Sequence, residues 1–276
     1  MVEERKMRTH TWPDDARCIV AMTVDFDGTA NEVGRGLEPV GIHSAGEYSA
    51  RCGVPRIMRI FEKHKIPATF FIPGFDAEQN PDLIKEIHRR GYEIASHGYL
   101  HEGRLLEPDE ERELLTKTHQ ILIDLIGTPP KGWRNPGGNK TALTVKFLHD
   151  LGYIYDSSDK DFDFPYLIEI DGKKVEDMIQ IPNNTSSLDD APMYSRGLIP
   201  PGDVLELWKA EFDTLYQEDG YFMLTFHPRA GFGSGPPARA KVVDELIRYI
   251  KKHDGVYFTT LLDMARWCLE GGHGII

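Results

Sequence analysis

Cys18-Ile19-Val20-Ala21-Met22-Thr23-Val24-Asp25-Phe26-Asp27-Gly28-Thr29 is the stretch around which the rest of the chain arranges itself. Its first seven residues are a continuous apolar run rich in β-branched side chains, the pattern of a strand buried on both faces. Two carboxylates, Asp25 and Asp27, emerge together from the end of that strand. A lone carboxylate at the edge of a core is costly, and two so close repel, so a cation, a shared proton or a structural lock has to compensate.

Working outward, similar short runs recur at 68–72, 93–96, 153–155, 178–181, 221–226 and 256–259. Helical patterns lie between most of them, at 54–65, 80–90, 107–127, 141–150, 203–217, 238–253 and 261–269. In the third of these, Leu114, Leu115, Leu122, Leu125 and Ile126 share one face, an acidic segment opens the helix and Gly127 closes it. Roughly seven helices alternating with roughly seven strands predict a parallel sheet wrapped by helices. The expected fold class is α/β, a single-domain closed or nearly closed (β/α) barrel of about seven parallel strands, with a doubly wound open sheet second. The barrel domain is expected over 18–270, after an N-terminal extension 1–17 and before a tail 271–276. Two long irregular stretches, 28–53 and 156–201, the second with a short strand inside it, are expected to be lids or binding loops crowding the face where strands end.

Composition narrows the partners. Of 276 residues, 40% are hydrophobic and 28% charged, and the net charge is −12. That charge argues against a nucleic-acid backbone or an anionic membrane and favours a small or neutral substrate. The charged start Met1–Lys6 is no signal peptide, and no run approaches the roughly 18 apolar residues of a membrane span, so a cytoplasmic location is expected. Cys18, Cys52 and Cys268 are scattered and odd in number, so they read as thiols, and any metal must be held by His and carboxylates.

Asp27, His97, Arg134, Asp156 and His227 each fall just after an apolar run or in the loop that follows one. In a barrel or a doubly wound sheet those strand ends form one face, where active sites lie. His97-Gly98-Tyr99-Leu100-His101 would put two imidazoles on one side of a helical turn. Any one of these has an ordinary alternative: a histidine bonded to a carbonyl, or a Pro and Gly turn around Arg134. As a group, Asp27, His97 and His101 offer two imidazoles and one carboxylate, a set suited to Zn or another divalent transition metal with open positions for water. Such a metal lowers the pKa of its water towards ~7 and polarises a carbonyl. Asp25 could then take the proton from that water, His227 could protonate the leaving nitrogen, and Arg134 could orient Asp25.

These strings resemble the polysaccharide deacetylase family of carbohydrate esterases. The likeness lies in Asp25-Phe26-Asp27-Gly28, His97-Gly98-Tyr99-Leu100-His101, Arg134-Asn135-Pro136 and Leu224-Thr225-Phe226-His227-Pro228, and covers roughly residues 18 to 268. It implies a distorted (β/α) barrel, a divalent metal and hydrolysis of a non-peptide carbon–nitrogen bond. It also implies that Pro136 and Gly137 meet the substrate, with the Gly137 N–H at the oxyanion. The Phe26 spacer and the segment Glu47–Arg56 are similar to the intracellular branch, with its cyclic imide hydrolases and atypical peptidoglycan deacetylase, commonly homo-oligomers. The long loop 28–53 is expected to cover the pocket and favour a small cyclic imide or amide over a polymer. Two alternatives stand beside this. One is a haloacid-dehalogenase-type phosphatase with Asp25 as nucleophile, Asp27 as acid/base and Mg as cofactor, for which Asp189-Asp190 is the only tempting late acidic pair. The other is a catalytically silent binding homologue.

Overall fold

The structure is a computed structural model that describes residues 12–183, 187–195 and 199–271. Strand β1 (Cys18–Asp25) is buried along its whole length, and its side chains alternate between two cores. Cys18, Val20, Met22 and Val24 face a layer of helices, while Ile19 and Ala21 face the inside of a curled sheet. Thr23 and Asp25 continue the inward row, which is how an apolar strand delivers a carboxylate to one end of the barrel.

The other strands are β2 (Thr69–Ile72), β3 (Glu93–Ser96), β4 (Gly132–Trp133), β5 (Tyr155–Asp156), β6 (Tyr166–Ile170), β7 (Lys173–Gln180), β8 (Tyr221–Phe226) and β9 (Val256–Thr259). They form a nine-stranded sheet in the order β6-β7-β5-β4-β3-β2-β1-β8, with β9 also on β1. Strand β1 pairs with β8 over Ile19–Val24, with β9 over Cys18–Ala21 and with β2 over Thr23–Asp25, so β9 and β2 share its remaining edge. Every strand but β6 runs parallel, which is one more parallel strand than the sequence periodicity suggests; the expected short strand 178–181 is the end of β7, which forms an antiparallel hairpin with β6 inside the stretch otherwise expected to be irregular. Among the described residues the curl does not close: on the free edge of β8 only the isolated bridge of Asp189 to Thr225 continues the pairing.

The helices are α1 (Ala30–Gly34), α2 (Val54–His64), α3 (Gly74–Gln79), α4 (Pro81–Arg89), α5 (Pro108–Ile126), α6 (Ala142–Asp150), α7 (Asp190–Ser195), α8 (Pro201–Gln217), α9 (Pro237–Ile250) and α10 (Leu261–Leu269). The short helices α1, α3 and α7 escape the periodicity because five or six residues cannot display a 3.6-residue stripe. Helix α5 ends as expected at Gly127, whose φ of 78° suits a residue without a β-carbon.

The barrel floor is plugged by α10 and by Trp12, which pack with Ile19, Tyr221 and Met223. The indole of Trp12 donates to Asp219 O at 2.8 Å. Residues 12–17 are therefore part of the body rather than an extension, while residues 1–11 and 272–276 of the expected extension and tail lie outside the described residues. Nearby, buried Glu93 accepts from Thr69 Oγ1 and Tyr155 OH, each at 2.6 Å, and from Leu262 N at 2.9 Å. Burial pushes the Glu93 carboxyl up, and these donors oppose the shift.

The Tyr155 ring, held by Glu93, closes over the backbone of Gly132, where an added β-carbon would lie 1.9 Å from Cζ. Gly132→Ala is expected to destabilise the fold by about 1–3 kcal/mol through overpacking. Urea denaturation checks this, and an unchanged midpoint would show that Tyr155 can move.

Candidate active site

Four parallel strands end at one rim, and each hands over a polar side chain within two residues. Asp25 closes β1 and Asp27 follows it; His97 follows β3, Arg134 follows β4 and His227 follows β8. All five are buried or nearly so, at the wall of a cavity of about 500 Å³ that Gly137, Lys160 and Asp189 also line.

The inner layer is built on Arg134. Its Nη1 donates to Asp25 Oδ1 at 2.7 Å and Thr23 Oγ1 at 3.0 Å, its Nη2 to Ser157 Oγ at 3.1 Å, and its Nε to Ser157 O at 3.2 Å. The guanidinium also stacks on Phe71, with Cζ 4.1 Å from the ring centre. The second oxygen of Asp25, Oδ2, faces Nε2 of His97 and of His227 at 4.0 Å each.

Asp27 turns the other way because its backbone is left-handed, with φ of 37°. Its Oδ1 lies 3.5 Å from His97 Nε2 and 3.3 Å from His101 Nε2. His97 donates from Nδ1 to Arg134 O at 2.8 Å, which turns Nε2 towards Asp27. The two imidazoles do not share a helical turn as the spacing predicts. Residues 97–103 form a loop in which Gly98 (φ 68°) and His101 (φ 56°) are both left-handed, and Glu102 accepts from Tyr99 N and Leu100 N. The ring centres still come within 5.3 Å.

Asp27 Oδ1 is buried and makes no hydrogen bond, a costly condition that a cation between it and the imidazoles would relieve. Asp27, His97 and His101 each offer a ligand atom, all within 4.8 Å of one another, so the residues fit a divalent transition metal. Burial pushes the Asp27 carboxyl up, but His101, His97 and His227 outweigh it and hold it well below the usual carboxylate range.

His227 has a partner that the sequence did not reveal. Its Nδ1 donates to Asp190 Oδ1 at 2.7 Å, and Asp190, fully buried at the start of α7, also accepts from the backbone N–H of His227 and of Ser234. Burial disfavours the imidazolium, yet Asp190 with Asp189 and Asp27 raises its pKa well above the ordinary value. Asp189-Asp190 therefore serves the histidine. The one available signal was an acidic pair in an irregular stretch with nothing local to neutralise it.

Three other expectations change. Asp156 does not reach the cavity; it is fully buried and paired with Lys140, which also holds Asp159 at 2.8 Å. Pro136 is buried against the Gly98 turn, in a separate crevice, so of the expected substrate pair only Gly137 lines the cavity. Stretch 28–53 is not a lid: it holds α1 and turns at Gly41–Gly46 and Ser49–Gly53, and none of it lines the cavity.

The polysaccharide deacetylase family pattern matches residues 43–155 of this chain. The peptidoglycan deacetylase of Helicobacter pylori is 30% identical over 281 residues, covering 90% of this chain and 94% of that one. The solved structure of a Mycobacterium smegmatis protein ascribed to the polysaccharide deacetylases superposes with a TM-score of 0.82 at 34% identity, over 92% of this chain and 91% of that one. PuuE allantoinase superposes with a TM-score of 0.82 at 27% identity, over 95% and 94%. The chain belongs to the polysaccharide deacetylase family. It is a hydrolase acting on carbon–nitrogen bonds other than peptide bonds, which removes the phosphatase alternative. No helix among the described residues is long and apolar enough to cross a membrane.

Because the folded pKa of His227 is raised, its pairing with Asp190 stabilises the fold fully below the ordinary value of 6.5, and that stabilisation is lost as pH rises through the folded value. In metal-free Asp190→Asn protein the His227 pKa is expected to fall towards 6.5. Proton NMR titration of the imidazole checks this, and an unchanged titration would show that Asp190 does not set its charge.

Proposed function

We propose that this chain is a metal-dependent hydrolase that opens an amide bond in a small substrate, an N-acetyl group or a cyclic imide or amide. One observation carries the reading: a buried, unbonded carboxylate oxygen on Asp27 faces two imidazole nitrogens, and the one on His97 is oriented from behind by the Arg134 carbonyl. Asp27, His97 and His101 would hold the metal, most readily Zn given two nitrogens and one oxygen. When bound, the metal lowers the pKa of water and polarises the substrate carbonyl.

The remaining work falls to side chains. Arg134 holds Asp25 Oδ1, so Oδ2 is the oxygen presented to the cavity, where it can accept the proton of an attacking water. His227, kept protonated by Asp190, presents Nε2 on the same side and can deliver a proton to the departing nitrogen. An amide needs this step because its nitrogen leaves poorly as an anion. The backbone at Gly137, with φ of 69°, lines the cavity where the oxyanion would form, and we assign its N–H to that charge.

Two relatives bracket the substrate, a peptidoglycan deacetylase and an allantoinase. A cavity of about 500 Å³ accommodates a small amide of either kind. The net charge of −12 supports a neutral or small substrate over nucleic acid. A panel of N-acetylglucosamine oligomers, succinimide-like imides, hydantoins and allantoin distinguishes them, and failure to hydrolyse every member with metal supplied would favour a silent homologue.

Elemental analysis is expected to find about one Zn-like ion per chain, lost in the double variant His97→Ala/His101→Ala; retention there would remove the ligand assignment. Asp25→Asn is expected to keep the metal and lose turnover by about 10²–10⁴-fold. Full activity in that variant, measured at saturating substrate, would place the base elsewhere.

A further inference from the structure

The peptides just past Asp27 are gripped from two sides, by a carboxyl group and by a guanidinium. On the N–H side Asp76, fully buried in α3, accepts from Gly28 N and Thr29 N at 2.8 Å each and from Ala30 N at 3.1 Å. On the carbonyl side Arg229 Nη1 donates to Gly28 O at 2.8 Å and reaches Asp27 O at 3.4 Å. Ser49 Oγ donates to that same Asp27 O at 3.0 Å. The other arm of Arg229 pairs with Glu32 in α1, so this guanidinium, only 4% exposed, is neutralised in place.

Peptide dipoles explain the consequence. The Asp76 carboxyl group faces the amide ends and a cation faces the carbonyl ends of the same short segment, so rotating either peptide would break buried hydrogen bonds at both ends. Asp27 within that segment adopts a left-handed conformation that L-residues with a β-carbon disfavour and that persists only when its surroundings over-determine it. Without this conformation the Asp27 side chain would not turn away from Asp25 towards His97 and His101.

Arg229 also touches the other half of the site. It follows His227 across Pro228, and its guanidinium lies 5.3 Å from the ring centre of Phe232, which packs on the His227 imidazole with ring centres 5.3 Å apart. Added β-carbons at Gly53 and Gly235 would each lie 1.9 Å from Pro228 O, so the segment carrying Arg229 has little room to shift.

We propose that Arg229 is a positioning residue: by holding the carbonyls of Asp27 and Gly28 it sets the Asp27 carboxylate for metal binding and ties that setting to the His227 ring. The stretch 28–53, which does not line the active-site cavity, supplies Glu32 and Ser49 to the same task. This rests on the reading that Asp27, His97 and His101 hold a metal.

The test titrates metal-stripped full chain with Zn²⁺ alone against a chromophoric competing chelator, at a temperature where circular dichroism shows every variant folded. Arg229→Met is expected to weaken zinc binding by about 10–100-fold. Arg229→Lys, which keeps a cation for Gly28 O but loses the second arm to Glu32, is expected to fall between that variant and the parent. Where Arg229→Met fails to fold, Arg229→Met/Glu32→Gln removes the stranded carboxylate and is expected to fold with the same loss of affinity. A purely structural role would lower the melting temperature and leave the affinity of the folded protein unchanged. Parent-like zinc affinity in either folded variant would therefore overturn the role of Arg229. A parent protein that bound no zinc would overturn it together with the metal reading beneath it, and the parent titration tells the two failures apart.

Discussion

The buried ion pair of Arg134 and Asp25 is the constraint from which the upper half of the barrel follows. A guanidinium inside a curled sheet must have its donors satisfied, and here the acceptors come from β1, the segment after β5, and β8, through Asp25, Thr23, Ser157 and Thr225. The aromatic face of Phe71 in β2 covers the cation from the side. Removing one partner from such a pair typically costs about 3–5 kcal/mol, because the other charge is left uncompensated in low dielectric. The pair therefore locks the strand ends together as well as presenting one carboxylate oxygen to the cavity.

Charge is resolved in the same manner throughout the site, with each buried ion matched by another reached across the barrel. Asp190 matches His227 and the histidines match Asp27, and outside the cavity Lys140 matches Asp156 in the same way. Asp76 differs, since burial pushes its carboxyl up to about 7 while three backbone N–H groups oppose the shift. A rim built this way separates two carboxylates that start out almost adjacent in the chain. Asp25 is turned inward to Arg134 and Asp27 outward to the imidazoles, which is how the repulsion implicit in their spacing is relieved.

The strands and the residues at their ends were legible because both signals are local: an apolar run of four to eight residues, and a polar side chain immediately after it. Thus β1, β3 and β8 and the residues Asp25, Asp27, His97, Arg134 and His227 could be read directly, and the structure brings those five side chains to one cavity wall. The two-residue strand β4 is too short to show alternation, β5 shows only as the short run 153–155, and α1, α3 and α7 are too short to show a helical stripe. The helical turn expected for His97 and His101 failed because Gly98 and the Glu102 carboxylate favour a left-handed loop that brings the same rings together.

The sequence by itself determined the alternation of most strands and helices, the largely parallel sheet and the polar side chains at the strand ends, since these follow from periodicity and from which chemistry sits after each apolar run. Only the tertiary structure decided how those donors are held. Asp190 meets His227 across 37 residues, Asp76 meets Gly28 across 48, and Arg229 meets Asp27 across 202. No local pattern records such pairings, because a buried carboxylate or guanidinium finds its partner through the packing of distant segments, and only the folded barrel sets that distance.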